Sequence, residues 1–167
     1  LLAAWAVLLG RHADQDDLLV GTPVAGRHAR GTESLIGFFA NTLVLRVEPK
    51  DALRFQDLLG QVRQTALDAF SHQDIPFERL VEELVPVRDL SHSPLFQAMF
   101  VLQDARGDGW RMPGLTIQPV PLDGQTSKFD VLLTIVDSGT GFAATLEYST
   151  DLFDEDRMVR LLQGFEV

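Results

Sequence analysis

The chain alternates between two hydrophobic rhythms, one of helical period and one of strand period. Leu1 to about Arg11 is apolar nearly all round (Leu1, Leu2, Trp5, Val7, Leu8, Leu9), a pattern that predicts a buried helix instead of a surface one. After Asp16 and Asp17 a short apolar run, Leu18–Val20, predicts a central strand, and the Gly- and Pro-rich stretch Gly21–Arg27 predicts a loop. Ile36–Arg46 reads as a loop feeding a strand. Phe55, Leu58, Leu59, Val62, Ala66 and Phe70 recur at helical spacing and predict an amphipathic helix ending near His72. Pro76 suits a first helical position, with Phe77, Leu80, Val81 and Leu84 continuing a short helix to Pro86.

The second half is richer in strand signals. Leu95–Gln103 predicts a strong strand, Arg106–Pro113 a polar loop holding Trp110, and Leu115–Val120 a weaker strand at an edge. Phe129, Val131, Leu133 and Ile135 alternate with less apolar residues, as do Phe142, Ala144, Leu146 and Tyr148. The turn Asp137-Ser-Gly-Thr-Gly141 between them predicts a β-hairpin. Asp154 can cap a last helix with Met158, Leu161, Leu162 and Phe165 on its apolar face. The expected architecture is α/β of the α+β kind: a mixed sheet with helices packed on it, in one domain without internal repeats.

Composition narrows the functions open to such a fold. A net charge of −10 makes nucleic acid and anionic membranes poor partners. The absence of cysteine removes disulfides, thiolate metal sites and thiol nucleophiles, and fits a cytoplasmic protein. No apolar run approaches the ~20 residues of a membrane span. The four histidines, His12, His28, His72 and His92, are dispersed, so no metal site is expected. Neither G-x-S-x-G nor a phosphate loop occurs. Both ends read as cut within helical patterns, so the chain is expected to be a piece of something longer.

Three segments carry more. They are Ile36-Gly-Phe-Phe-Ala-Asn-Thr-Leu-Val-Leu-Arg46, His72-Gln-Asp-Ile-Pro-Phe-Glu78 and Arg88-Asp-Leu-Ser-His-Ser-Pro-Leu-Phe96. In this order and spacing they resemble three consecutive core motifs of the condensation domains of nonribosomal peptide synthetases. Asp16–Arg27 ahead of them, and Phe129-Asp-Val-Leu-Leu and Leu146–Phe153 after them, extend the resemblance over the whole chain. The resemblance implies a chloramphenicol-acetyltransferase-like lobe, the C-terminal one of two that enclose a tunnel, with the N-terminal lobe missing from residues 1–167. It implies as partners that N-terminal lobe, donor and acceptor peptidyl carrier proteins and an adjacent adenylation domain. The carrier proteins present phosphopantetheine arms, and no cofactor is bound directly. The reaction implied is attack of an acceptor amine on a donor thioester to form an amide. The family's His-His-x-x-x-Asp-Gly motif is absent, so no catalytic residue is assigned here and the fragment alone is expected to be inactive. A non-catalytic docking module of the same fold, an epimerization domain and a free-standing acyltransferase are the alternatives.

On this basis Gly37, Phe38, Asn41 and Thr42 are candidates to face the tunnel or pantetheine. Set against that, Asn41 and Thr42 can simply satisfy buried backbone groups, and Phe38 and Phe39 can be packing. His72, Gln73, Asp74, Pro76, Phe77 and Glu78 read more readily as a capped corner, with Asp74 accepting from the free amides of the following helix and Glu78 favouring its dipole. Arg88, Asp89, Ser91 and Pro94 read as an ion-paired turn that starts a strand at Pro94. The Phe129–Thr150 hairpin is expected to leave an apolar face for the companion lobe.

Overall fold

The structure, a computed structural model, describes residues 1–50, 54–85, 92–104, 114–115, 120 and 126–166. Its elements run α1 (Leu2–Ala13), β1 (Leu18–Val24), β2 (Asn41–Val47), α2 (Phe55–Ser71), α3 (Phe77–Leu84), β3 (Ala98–Asp104), β4 (Val131–Asp137), β5 (Phe142–Tyr148) and α4 (Glu155–Glu166). The strands form one mixed sheet of order β2-β1-β3-β4-β5. Its outer pairs are antiparallel, and β1, β3 and β4 run parallel.

The nearly all-round apolar character of α1 follows from its having two cores to serve. Trp5 packs with Val20, Phe100, Val131, Leu133, Ile135, Met158 and Leu161, joining the sheet to α4. Ala3 and Ala6 pack instead with Leu18, Val47, Leu58 and Val62, joining β1 and β2 to α2. Trp5 is wholly buried, and Phe165 of α4 meets its ring edge-on at 5.8 Å. Such a pair adds about 0.5–1.5 kcal/mol beyond area burial. The opposite face of the sheet is less covered, with Val44, Val101, Leu132, Thr134 and Val136 only half-buried.

The hairpin is confirmed, with Val131 opposite Tyr148 and Asp137 opposite Phe142. Inside the turn the Ser138 N–H donates to Gly141 O, and the Gly139 N–H to Asp137 Oδ1. Elsewhere the structure departs from the pattern. Gly21-Thr-Pro-Val24 is strand, not loop. Pro23 sits opposite Thr42 of β2, while the ladder to β3 is registered only at Val20 and Gly21. Beyond that short ladder a missing N–H is tolerated. Likewise β3 begins at Ala98 and not at Pro94 or Leu95, because Leu95 has φ of +69°, outside the strand region. Pro76 is the N-cap of α3, with ψ of 141°, and Phe77 is the first helical residue. Along α2 only Leu58 and Val62 are buried, and Phe55, Leu59 and Phe70 stay largely exposed. Trp110 and the rest of 105–113, with most of the weaker strand over 115–120, lie outside the described residues.

Candidate functional site

The described parts of the three motif segments meet beside the β1–β2 pair, with Asn41 opposite Val24 and the Phe96 ring at Gly21. Residues 25–40 form the loop from β1 to β2, and Arg27 organises it. Its guanidinium donates to the carbonyls of Thr32, Leu35 (2.8 Å) and Gly37 (3.1 Å) and lies 4.4 Å from the centre of the Phe39 ring. Its planar fork suits this cluster of carbonyl acceptors. Gly26, at φ of +63°, lets the loop fold back, since a Cβ there would collide with the Phe39 carbonyl. With these backbone groups gathered inward, Ile36 and Phe38 point outward and are almost fully exposed, at 105% and 92%.

At the base of the loop, Asn41 opens β2 and faces the turn between α2 and α3. Its Nδ2 donates to Gln73 O (2.9 Å) and Ile75 O (2.7 Å), and its Oδ1 accepts from the Phe77 N–H (3.1 Å). The role expected of Asp74, relieving an orphan amide of α3, falls in the structure to Asn41. Asp74 instead lies 2.9 Å from His28 Nε2, a second link between the loop and the turn. Thr42 is half-buried, opposite Pro23.

Of the remaining candidates, His72 caps the end of α2, with Nδ1 at 2.8 Å from Asp68 O and 2.9 Å from Ser71 Oγ. Glu78 is exposed in the first turn of α3. Pro94 precedes β3 in a tight turn, where its carbonyl accepts from the Phe96 N–H at 2.9 Å. Arg88, Asp89 and Ser91 lie outside the described residues.

An aromatic stack ties the third segment to the second. Phe96 is 2% exposed, and its ring centre lies 5.7 Å from that of Phe77 and 5.6 Å from that of Phe129. The same ring fills the space where a Cβ on Gly21 would stand. Sequence reasoning passed over the roles of Arg27, His28, Phe96 and Phe129. Arg27 alone left a usable signal, since a long cation closing a Gly-rich stretch can collect the carbonyls of the loop it opens.

Away from this cluster, a group of ion pairs gathers around Arg46 and Lys50. Arg46 holds the Asp17 carboxyl below its ordinary range through a two-pronged hydrogen bond at 2.9 and 2.8 Å. Asp17 in turn raises Arg46, and Glu48 raises Lys50. Among the described residues no cluster of three His, Asp or Glu side chains could hold a metal, and no helix is long and apolar enough to cross a membrane.

Comparison with known proteins places this geometry. The family model "Condensation domain" matches residues 1–166. A linear gramicidin synthase from Brevibacillus parabrevis is 50% identical over 163 residues, covering 96% of this chain and 2% of that protein. Surfactin synthase subunit 1 of Bacillus subtilis (strain 168) is 41% identical, covering 98% of this chain and 4% of that protein. The chain therefore spans only a few per cent of the curated relatives it matches. Among solved structures, a four-domain nonribosomal peptide synthetase superposes with a TM-score of 0.86 at 26% identity, over 97% of this chain and 14% of the other. The X-domain from teicoplanin biosynthesis gives 0.84 at 26% identity, over 99% of this chain and 39% of the other. By sequence along its length and by fold, the chain belongs to the condensation domain family.

Proposed function

We propose that this chain forms one lobe, the C-terminal one, of a condensation domain that makes amide bonds within a nonribosomal peptide synthetase. The acceptor amine attacks the donor thioester carbonyl, the C–S bond breaks, and the thiol of the donor's phosphopantetheine arm leaves as the C–N bond forms. The amine's surplus proton passes to a base or to the departing sulfur. The observation that carries this reading is the meeting of Asn41, the 72–78 turn and Phe96 beside the β1–β2 pair, within a family match spanning the chain.

The assignment as one lobe is supported by the X-domain, of which this chain covers 39% while being itself 99% covered. Gly37, Phe38 and Thr42 face the chamber, Phe38 presenting its ring to the substrate arm, and Asn41 stands at the base of that loop. The half-buried face carrying Val101, Leu132 and Val136 packs on the companion lobe. The synthetase works in the cytoplasm, with its carrier proteins and adenylation domain as partners.

The test is amide formation between two loaded carrier proteins. The 167-residue chain alone is expected to give no turnover, and the chain joined to its companion lobe to give product. Turnover by the isolated chain would refute the division of labour. A second reading is favoured by one observation: an X-domain from teicoplanin biosynthesis, solved in complex with OxyB, matches at a TM-score of 0.80 and 25% identity. On that reading the domain is a docking platform, and the two-lobed protein yields no amide.

A further inference from the structure

We infer that Asn41 is a positioning residue for this reaction, whose carboxamide fixes the base of the 25–40 loop on the α2–α3 turn instead of touching substrate. The inference rests on the reading that this loop lines the chamber. A carboxamide has two N–H donors and an oxygen with two lone pairs. Both donors are committed to Gln73 O and Ile75 O, and one lone pair to the Phe77 N–H. One acceptor position is left over.

The three partners are groups that local structure does not serve. Phe77 opens α3, so its N–H has no intrahelical acceptor, and Pro76 at the N-cap has no side-chain oxygen to offer. Gln73 and Ile75 lie in the turn that follows α2, where no helical ladder reaches their carbonyls. Asn41 is thus a helix cap supplied from 36 residues away. The only other described polar link between loop and turn is the His28–Asp74 pair, and both its side chains are largely exposed. Exposed pairs hold weakly. The orientation of Ile36 and Phe38 relative to α3 therefore depends on Asn41.

The test uses the intact two-lobed domain with loaded donor and acceptor carrier proteins, and reads amide hydrogen exchange beside kinetics. Asn41→Ala should speed exchange of the Phe77 amide about tenfold or more, as loss of a shared hydrogen-bond network requires. It should lower kcat by about ten- to a hundredfold, as a displaced positioning element does, with KM for the acceptor carrier within about twofold. Asn41→Asp keeps an acceptor for Phe77 but turns a carboxylate on two carbonyls. Phe77 should then stay protected, with kcat between those of the wild type and Asn41→Ala. Adding His28→Ala to Asn41→Ala should cost less than the product of the two single losses, because both act on one joint.

In Asn41→Ala, a fall in kcat with unchanged Phe77 exchange would mean direct substrate contact and overturn the inference. So would fast exchange with undiminished kcat. Should Asn41→Ala fail to fold, Asn41→Asp decides: wild-type turnover there overturns the proposal, as does a loss that simply multiplies with that of His28→Ala, and a loss that overlaps with that of His28→Ala supports it. Failure of the chamber reading itself shows separately, as full turnover by Phe38→Asp.

Discussion

Gly21→Ala tests the packing at the centre of the motif cluster. The nearest atoms to a Cβ at Gly21 are the Cε2, Cζ and Cδ2 of Phe96, all well inside contact distance. An exposed side chain would swing aside, but Phe96 is 2% exposed and held between Phe77 and Phe129. The added methyl therefore forces an off-rotamer ring or a shift of β1, at about 2–3 kcal/mol, toward the upper end of overpacking costs. Phe96→Leu shortens the obstructing side chain and leaves a modest void, at about 1–1.5 kcal/mol. Independent effects would sum to about 3–4.5 kcal/mol. Because the leucine vacates the space the methyl needs, the double variant should lose only about 2 kcal/mol, a coupling of at least about 1 kcal/mol. Urea midpoints at constant slope measure all three, and on heating each kcal/mol corresponds to about 2–4 °C for a chain this long. Additive losses would refute the contact.

Three further outcomes follow from other parts of the molecule. Arg27→Lys replaces a fork that serves three carbonyls by a point donor that cannot, so the 25–40 loop should be cut faster in limited proteolysis, with a stability loss of about 1–3 kcal/mol; an unchanged cleavage rate would dismiss the cage. Asp17 is lowered by Arg46, so the pair stabilises above the unfolded carboxyl value of 3.8 and the contribution fades as pH falls through the lower folded value. Arg46→Gln should therefore lower the urea midpoint near neutrality and converge with the wild type in strong acid, and a constant gap would contradict this. Phe38→Asp, at an exposed position, should change stability by no more than about 0.5 kcal/mol while slowing amide formation in the two-lobed domain; a melting point several degrees lower would show that the ring packs inward.

The elements legible in the sequence are those whose signal is local. Val131, Leu133 and Ile135 alternate because one side of β4 is buried, and Met158 with Leu161 marks the face of α4 that covers it. The misreadings came where a distant partner decided. Pro23 looks like a loop residue until β2 lies beside it, and Leu95 looks like strand until its positive φ turns Phe96 under Gly21. Asp74 is the obvious cap for α3 by proximity in the chain. Asn41 takes the position because β2 delivers it, and no periodicity or spacing records a contact across 36 residues.

The meeting of Trp5 with Phe165 has a consequence for biosynthesis. Nearly the whole sequence separates the two rings, so the indole waits on the ribosome while the intervening chain emerges. At ~5–20 residues per second that delay is roughly ten to thirty seconds. Throughout it α1 lacks the partner that completes its burial. Changes near Phe165 should thus lower the yield of folded protein more than their effect on the finished molecule's stability would suggest.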